Sequence, residues 1–149
     1  MSVSDSLESE DEDIPDTASV QHWAERACPC EEQVVVGVQV VGNAEMQELN
    51  HRWRGKDRPT NVLSFPMQSP AEVDLKILGD LALCANVINA EAAQQHKPAE
   101  AHWAHMVVHG MLHLQGYDHI DEQQAEEMEA LEIRILEQLG YNNPYLEPA

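Results

Sequence analysis

Positive charge is scarce in this sequence. Its 149 residues hold 8 lysines and arginines against 27 aspartates and glutamates, a formal net charge of −19. Loose, non-specific binding to nucleic acid depends on excess positive charge, so the body of the chain is excluded from that class of function. Basic protein partners suit such a surface. Also lacking is any apolar run that approaches the ~20 residues of a membrane span. The start, MSVSDSLESEDEDIP, has neither the basic head nor the apolar stretch of a secretory signal. A cytoplasmic location is therefore expected. Cysteine is sparse as well: three residues, an odd number, in a chain large enough to build a core without stapling. Cys28, Cys30 and Cys84 are expected as thiols, with a Cys-Pro-Cys metal or redox pair as the alternative.

What is present reads as a single α/β domain. Residues 1–16 form an acidic leader in which Val3 and Leu7 offer at most a weak edge strand, and residues 17–149 form the domain proper. TASVQHWAERA, from Thr17, reads as a short helix capped by Thr17 or Ser19. QVVVGVQVV is dense in β-branched residues and reads as a buried strand. Asn43 is expected to cap AEMQELNHRWR, where Met46, Leu49, Asn50 and Trp53 share one face. TNVLSFP is a strand ended or confined to an edge by Pro66. QSPAEVDLK is a polar turn, and ILGDLALCA a further strand. Three helices follow. NVINAEAAQQHK closes before Pro98. PAEAHWAHMVVHGMLHLQ opens with proline and stops at Gly116. DEQQAEEMEALEIRILEQL starts at Asp121, buries Met128, Leu131, Ile135 and Leu139, and ends at Gly140. The expected fold is a small mixed, mostly parallel sheet packed with about five helices.

Two local features stand out from this frame. Four of the 8 cations, Arg52, Arg54, Lys56 and Arg58, fall in one short stretch, which makes a local anion site on an acidic body. The other feature is HGMLHLQGYDH. His109 and His113 are one helical turn apart, so both imidazoles can turn onto one metal ion. Gly116 lets the chain reverse, and His119 swings back as third ligand. His105 extends the same stripe. It cannot share the ion with His113, because the two are ~12 Å apart along the axis. His105 is read as a core or supporting histidine and His102 as structural. The plain alternative is a helix whose histidines pair with the acidic last helix. Three histidines with no charge partner nearby in sequence make that the weaker reading. Asp118 either orients a ligand or caps the turn. Asp80, polar within an apolar strand, needs a partner, and a metal-bound histidine would be one.

Zinc peptidases with this spacing carry glutamate directly after the first histidine, and here that residue is Gly110. Three neutral ligands leave the full charge on the ion, enough to bring a bound water to a pKa of about 7 without an added base. Peptide cleavage also needs a proton delivered to a poor amine leaving group. Phosphodiester cleavage depends more on neutralising phosphoryl charge, which a metal and an arginine supply.

HGMLHLQGYDH, with RGKDRPTNVLSFP and LGDLALC, closely resembles the YbeY family of bacterial endoribonucleases, also described as rRNA maturation factors. The resemblance runs from about Gln33 to Tyr145. The family begins with an apolar strand where this chain has SLESEDEDIP. The resemblance implies one zinc per chain held by His109, His113 and His119, although the same nitrogens suit other divalent transition metals. It implies that Arg54, in the Arg-Gly pair, is the catalytic arginine. It further implies a zinc-dependent endoribonuclease acting on single-stranded RNA, in 16S rRNA maturation and ribosome quality control. Ribosomal or ribosome-assembly proteins are the implied partners, with neither DNA nor membrane among them. Two other functions compete: a metallopeptidase-like hydrolase, and a non-catalytic ribosome-assembly factor with a structural metal.

Overall fold

The VVVGVQVV run becomes the centre of the sheet because its alternate valines have something to bury against on one face. Val34, Val36 and Val38 are buried, and the strand has neighbours on both sides. The computed structural model describes residues 2–6, 13–28, 34–67, 76–117 and 121–145, with residues 2–6 and 76 described by backbone alone. Chain order is β1 (Ser2–Ser6), α1 (Thr17–Ala27), β2 (Val34–Val41), α2 (Asn43–Arg54), β3 (Val62–Pro66), β4 (Lys76–Cys84), α3 (Ala85–Gln94), α4 (Ala99–Leu114) and α5 (Glu122–Gln138). The sheet order is β1-β2-β4-β3. β1 and β4 run parallel to β2, and β3 returns antiparallel along the edge of β4. The expected mixed, mostly parallel sheet with five helices is therefore found. Pro66 ends the edge strand, where a missing N–H costs the ladder least.

The two faces of the sheet carry two cores. Val34, Val36, Val38 and Leu83 join α1, α4 and α5 residues in the main one. On the other side Met46 of α2 packs with Leu63, Ala82 and Cys84. β4 serves both, so Leu81 to Cys84 form a continuous buried run, as expected of a strand covered on both faces. α4 is buried round most of its circumference and is the central helix. At its middle lies Gly110, where an added Cβ would stand 2.8 Å from Leu81 Cδ2 and 3.3 Å from Val62 Cγ2. The absent side chain is what lets α4 lie close on the sheet. Among the described residues, no helix is long and apolar enough to cross a membrane.

Several local expectations change. Asp16, not Thr17 or Ser19, caps α1, accepting from Ser19 N at 2.7 Å. Gly42 occupies the cap of α2, and Asn43 is already helical. Its Oδ1 instead accepts from the Cys84 thiol at 3.5 Å. Asp121 caps α5 through Gln124 N, as the sequence predicts. Cys84 is a buried thiol, but Cys28 is disulfide-bonded. Asp80 is exposed, not enclosed in the strand. The pairing of β4 with β2 shifts register between Val35 and Val36, at Gly79. Gly79 has a φ of 143°, and a Cβ there would run into the Phe65 carbonyl. Beyond this step the Asp80 carboxylate lies over Gly37. The polar turn at 68–75 lies outside the described residues.

Candidate active site

The basic stretch is placed by the end of α2. Gly55 closes the helix in the left-handed conformation, at a φ of 72°. The loop then folds back on the helix. Lys56 N donates to Asn50 O at 3.3 Å, and Arg58 N to Lys56 O at 2.9 Å. Asn50 is buried, and its Nδ2 donates to the Arg58 carbonyl at 2.8 Å. A buried amide thereby meets its hydrogen-bonding need by fixing the loop that carries the cations. The side chains from His51 to Arg58 are all exposed.

The histidines are placed by α4. His109 Nε2 and His113 Nε2 lie 3.1 Å apart, so the unshared faces of the two rings converge. The other nitrogen of His109, Nδ1, hydrogen-bonds Glu132 Oε1 on α5. His105 Nε2 lies 3.2 Å from Glu132 Oε2, and the Tyr145 hydroxyl donates to that same oxygen. Glu132 is fully buried. Burial by itself pushes its carboxyl up, but hydrogen bonds from His105, His109 and Tyr145 outweigh that and bring it down to about 2. The Tyr145 hydroxyl is pushed well up by burial and by the neighbouring carboxylate. Burial lowers His105 despite Glu132. His102 Nε2 bonds Glu91 at 3.0 Å, and that bond holds the Glu91 carboxyl down.

Pairing with the acidic last helix, set aside on sequence grounds, is thus present for His105 and His109. It does not compete with the converging pair, because it uses the opposite nitrogen of His109. A carboxylate on one ring nitrogen fixes the tautomer and leaves the other as a lone-pair donor, the usual support for a metal-ligating histidine. His105, His109 and Glu132 themselves each bring one donor atom within 4.8 Å of the others and form a second arrangement able to hold an ion. His119 and Asp118 lie outside the described residues.

The two features meet. A cavity of about 350 Å³ is lined by Arg54, Lys56 and Arg58, by Asn50, Thr60 and Asn61, by the edge strand at Val62–Ser64, and by His109 and His113. Arg52 lies outside its lining. A larger cavity, about 820 Å³, takes in His96, Lys97, His102 and His105 but reaches neither His109 nor Arg54.

The family model described as Endoribonuclease YbeY matches residues 6–140. The chain belongs to that family. Membership carries endoribonuclease activity and a role in rRNA processing. Among solved structures, the chain is similar to TM1509 from Thermotoga maritima, seen in solution. Identity is 23%, the match covers 97% of this chain and 99% of that one, and the TM-score is 0.57. At that identity the likeness speaks for the shared fold.

Sequence reasoning passed over Glu132 and Tyr145. Glu132 carried a legible signal: it falls four residues after Met128 and three before Ile135, inside the buried stripe of α5. A carboxylate at such a position needs a partner, and α4 carries the histidines. Tyr145 lies in an irregular tail with no periodicity to place it.

Proposed function

We propose that this chain is a metal-dependent endoribonuclease that cleaves single-stranded RNA phosphodiesters, acting in 16S rRNA maturation and ribosome quality control. One observation carries the reading: the cavity that joins the converging imidazoles to the basic stretch of an acidic chain. His109 and His113 would hold the ion, with His119 as the third ligand. One zinc per chain suits these nitrogens, as do other divalent transition metals. When bound, the ion supplies Lewis-acid activation of water and neutralises phosphoryl charge.

The chain's own residues do the rest. Glu132 accepts the Nδ1 proton of His109, so that Nε2 stays unprotonated and aimed at His113. His109 and His113 open to the cavity while Glu132 is sealed from solvent, so that pair, and not Glu132, would hold the ion. Arg54 grips phosphoryl oxygens with its planar fork. Lys56 and Arg58 guide the strand into the cavity, and Arg52 contributes from outside it. The acidic surface elsewhere suits basic ribosomal or ribosome-assembly proteins.

Against a peptidase stands Gly110, where an added side chain would run into Leu81 and Val62. A base at that position would enter the core. An assembly factor with a structural metal leaves the arginine wall of the cavity without a task.

The test offers metal-loaded protein a single-stranded RNA, a duplex RNA and a casein-like peptide, each with and without chelator. Chelator-sensitive cutting of the single strand is expected. Peptide turnover lost on chelation would favour the peptidase instead. In cells, 16S rRNA ends should be misprocessed with Arg54→Ala and with His113→Ala. Normal ends in both, with His113→Ala still bound to small subunits, would favour the assembly factor.

A further inference from the structure

Trp53 is the most exposed large apolar side chain among the described residues, at 61%. Its spacing assigns it to the face of α2 that carries Met46, Leu49 and Asn50, and those three are buried or half-buried. Trp53 is not. It stands between Arg52 and Arg54 on the last turn of the helix. Its ring meets Phe65 of β3 edge-on, with centroids 6.0 Å apart and planes at 70°. That contact holds the indole without covering it. The three residues before Phe65, Val62 to Ser64, line the cavity.

An exposed indole wants an apolar cover, yet the short segment that carries this one also carries four of the chain's 8 cations. A protein surface that covered this segment would have to desolvate Arg52, Arg54, Lys56 and Arg58 as well, since all four are exposed. A single strand of nucleic acid satisfies both demands at once, with base faces for the aromatic ring and phosphates for the cations. We infer that Trp53 is a stacking platform for a nucleobase of single-stranded RNA, beside the cavity that takes the scissile phosphate. The inference rests on the RNA reading above. Stacking is tolerant of base identity, so the platform sets affinity and register along the strand, not sequence preference.

The molecule supplies its own probe. Of the three tryptophans, Trp23 and Trp103 are buried at 2% exposure each, so a neutral quencher such as acrylamide reports mainly on Trp53. Metal-loaded protein is mixed with a short single-stranded RNA, and separately with an abasic strand of equal length, in a stopped-flow instrument before cleavage. The base-bearing strand is expected to shield Trp53, and the abasic strand to bind without shielding it. Trp53→Ala should weaken binding of the base-bearing strand about 10-fold. Trp53→Tyr should restore most of that loss, and neither should change binding of the abasic strand. RNA binding with acrylamide access unchanged, or with full affinity in Trp53→Ala, overturns the platform and leaves the RNA reading intact. Failure of every variant to bind any strand overturns both. Shielding that grows with protein concentration in the absence of RNA would assign the ring to a contact between two copies, and also overturns it.

Discussion

On one wall of the cavity, His109 and His113 stand on a helix buried along most of its length, and a fully buried carboxylate holds His109 from behind. On the other wall, the side chains from His51 to Arg58 are exposed, and the backbone beneath them is tied down by Asn50. The difference fits what the proposed function asks of each wall. Imidazoles that share an ion need their lone pairs fixed to within fractions of an ångström, which demands packing and a hydrogen bond on the far nitrogen. Guanidinium and ammonium groups act over several ångströms, and the proposed strand is flexible, so exposed side chains at the end of α2 and on the loop after it suit that task. Damage to the first wall should therefore register as lost stability and metal affinity. Damage to the second should register as lost rate.

The largest expected effect comes from Glu132→Ala. It leaves His105 and His109 without their carboxylate in a buried site, so a loss of about 3–5 kcal/mol in urea unfolding is expected. Glu132→Gln keeps the volume and should still weaken metal binding about 10- to 100-fold by competition with a chelating dye. Arg54→Ala should do the reverse, lowering the RNA cleavage rate about 100- to 1,000-fold. Its unfolding midpoint should stay near that of wild type, within about 0.5 kcal/mol, because the side chain is exposed. A drop in stability equal to that of Glu132→Ala would erase the contrast between the walls.

Acid should weaken only the histidine wall, as read in the metal-free protein. His105 lies below its ordinary value in the fold, so the unfolded chain takes up that proton first and stability begins to fall as pH drops below about 6.5. Glu132 lies at about 2 in the fold against 4.5 unfolded. Its contribution is complete above 4.5 and is lost as pH falls from there toward 2, on the order of a few kcal/mol. Urea midpoints at pH 7.5, 5.5 and 4 check the direction, and Glu132→Gln should flatten the lowest limb. The smallest effect is expected at Gly110. Gly110→Ala brings a methyl 2.8 Å from Leu81, and the overpacking should outweigh the gain in helix propensity by about 1 kcal/mol. A stabilised protein would mean that α4 is free to move off the sheet.

Much of this was legible in one dimension. A density of β-branched residues marked Val34–Val41, and helical spacing placed His109 and His113 on one turn, because both signals are local to the chain. Gly55 and Gly140 ended their helices for an equally local reason: both adopt a positive φ. Asn50 was placed on its helix face, but its hold on the Arg58 carbonyl depends on how the loop folds back. The exposure of Trp53 was illegible for a similar reason. Helical phase puts it with Met46, but the sheet beneath has run out to its edge strand at that turn.

Thus the sequence by itself determined the elements, the imidazole pair, the basic stretch and the family that their motifs resemble. Tertiary structure alone decided that Arg54 and the histidines line one cavity, since they lie more than fifty residues apart and approach it from the two sides of the edge strand β3. It also decided that Glu132 of α5 stands behind His109, and that Gly110 is a packing residue. Contacts across elements depend on how faces are stacked, and no periodicity within one element records its neighbour.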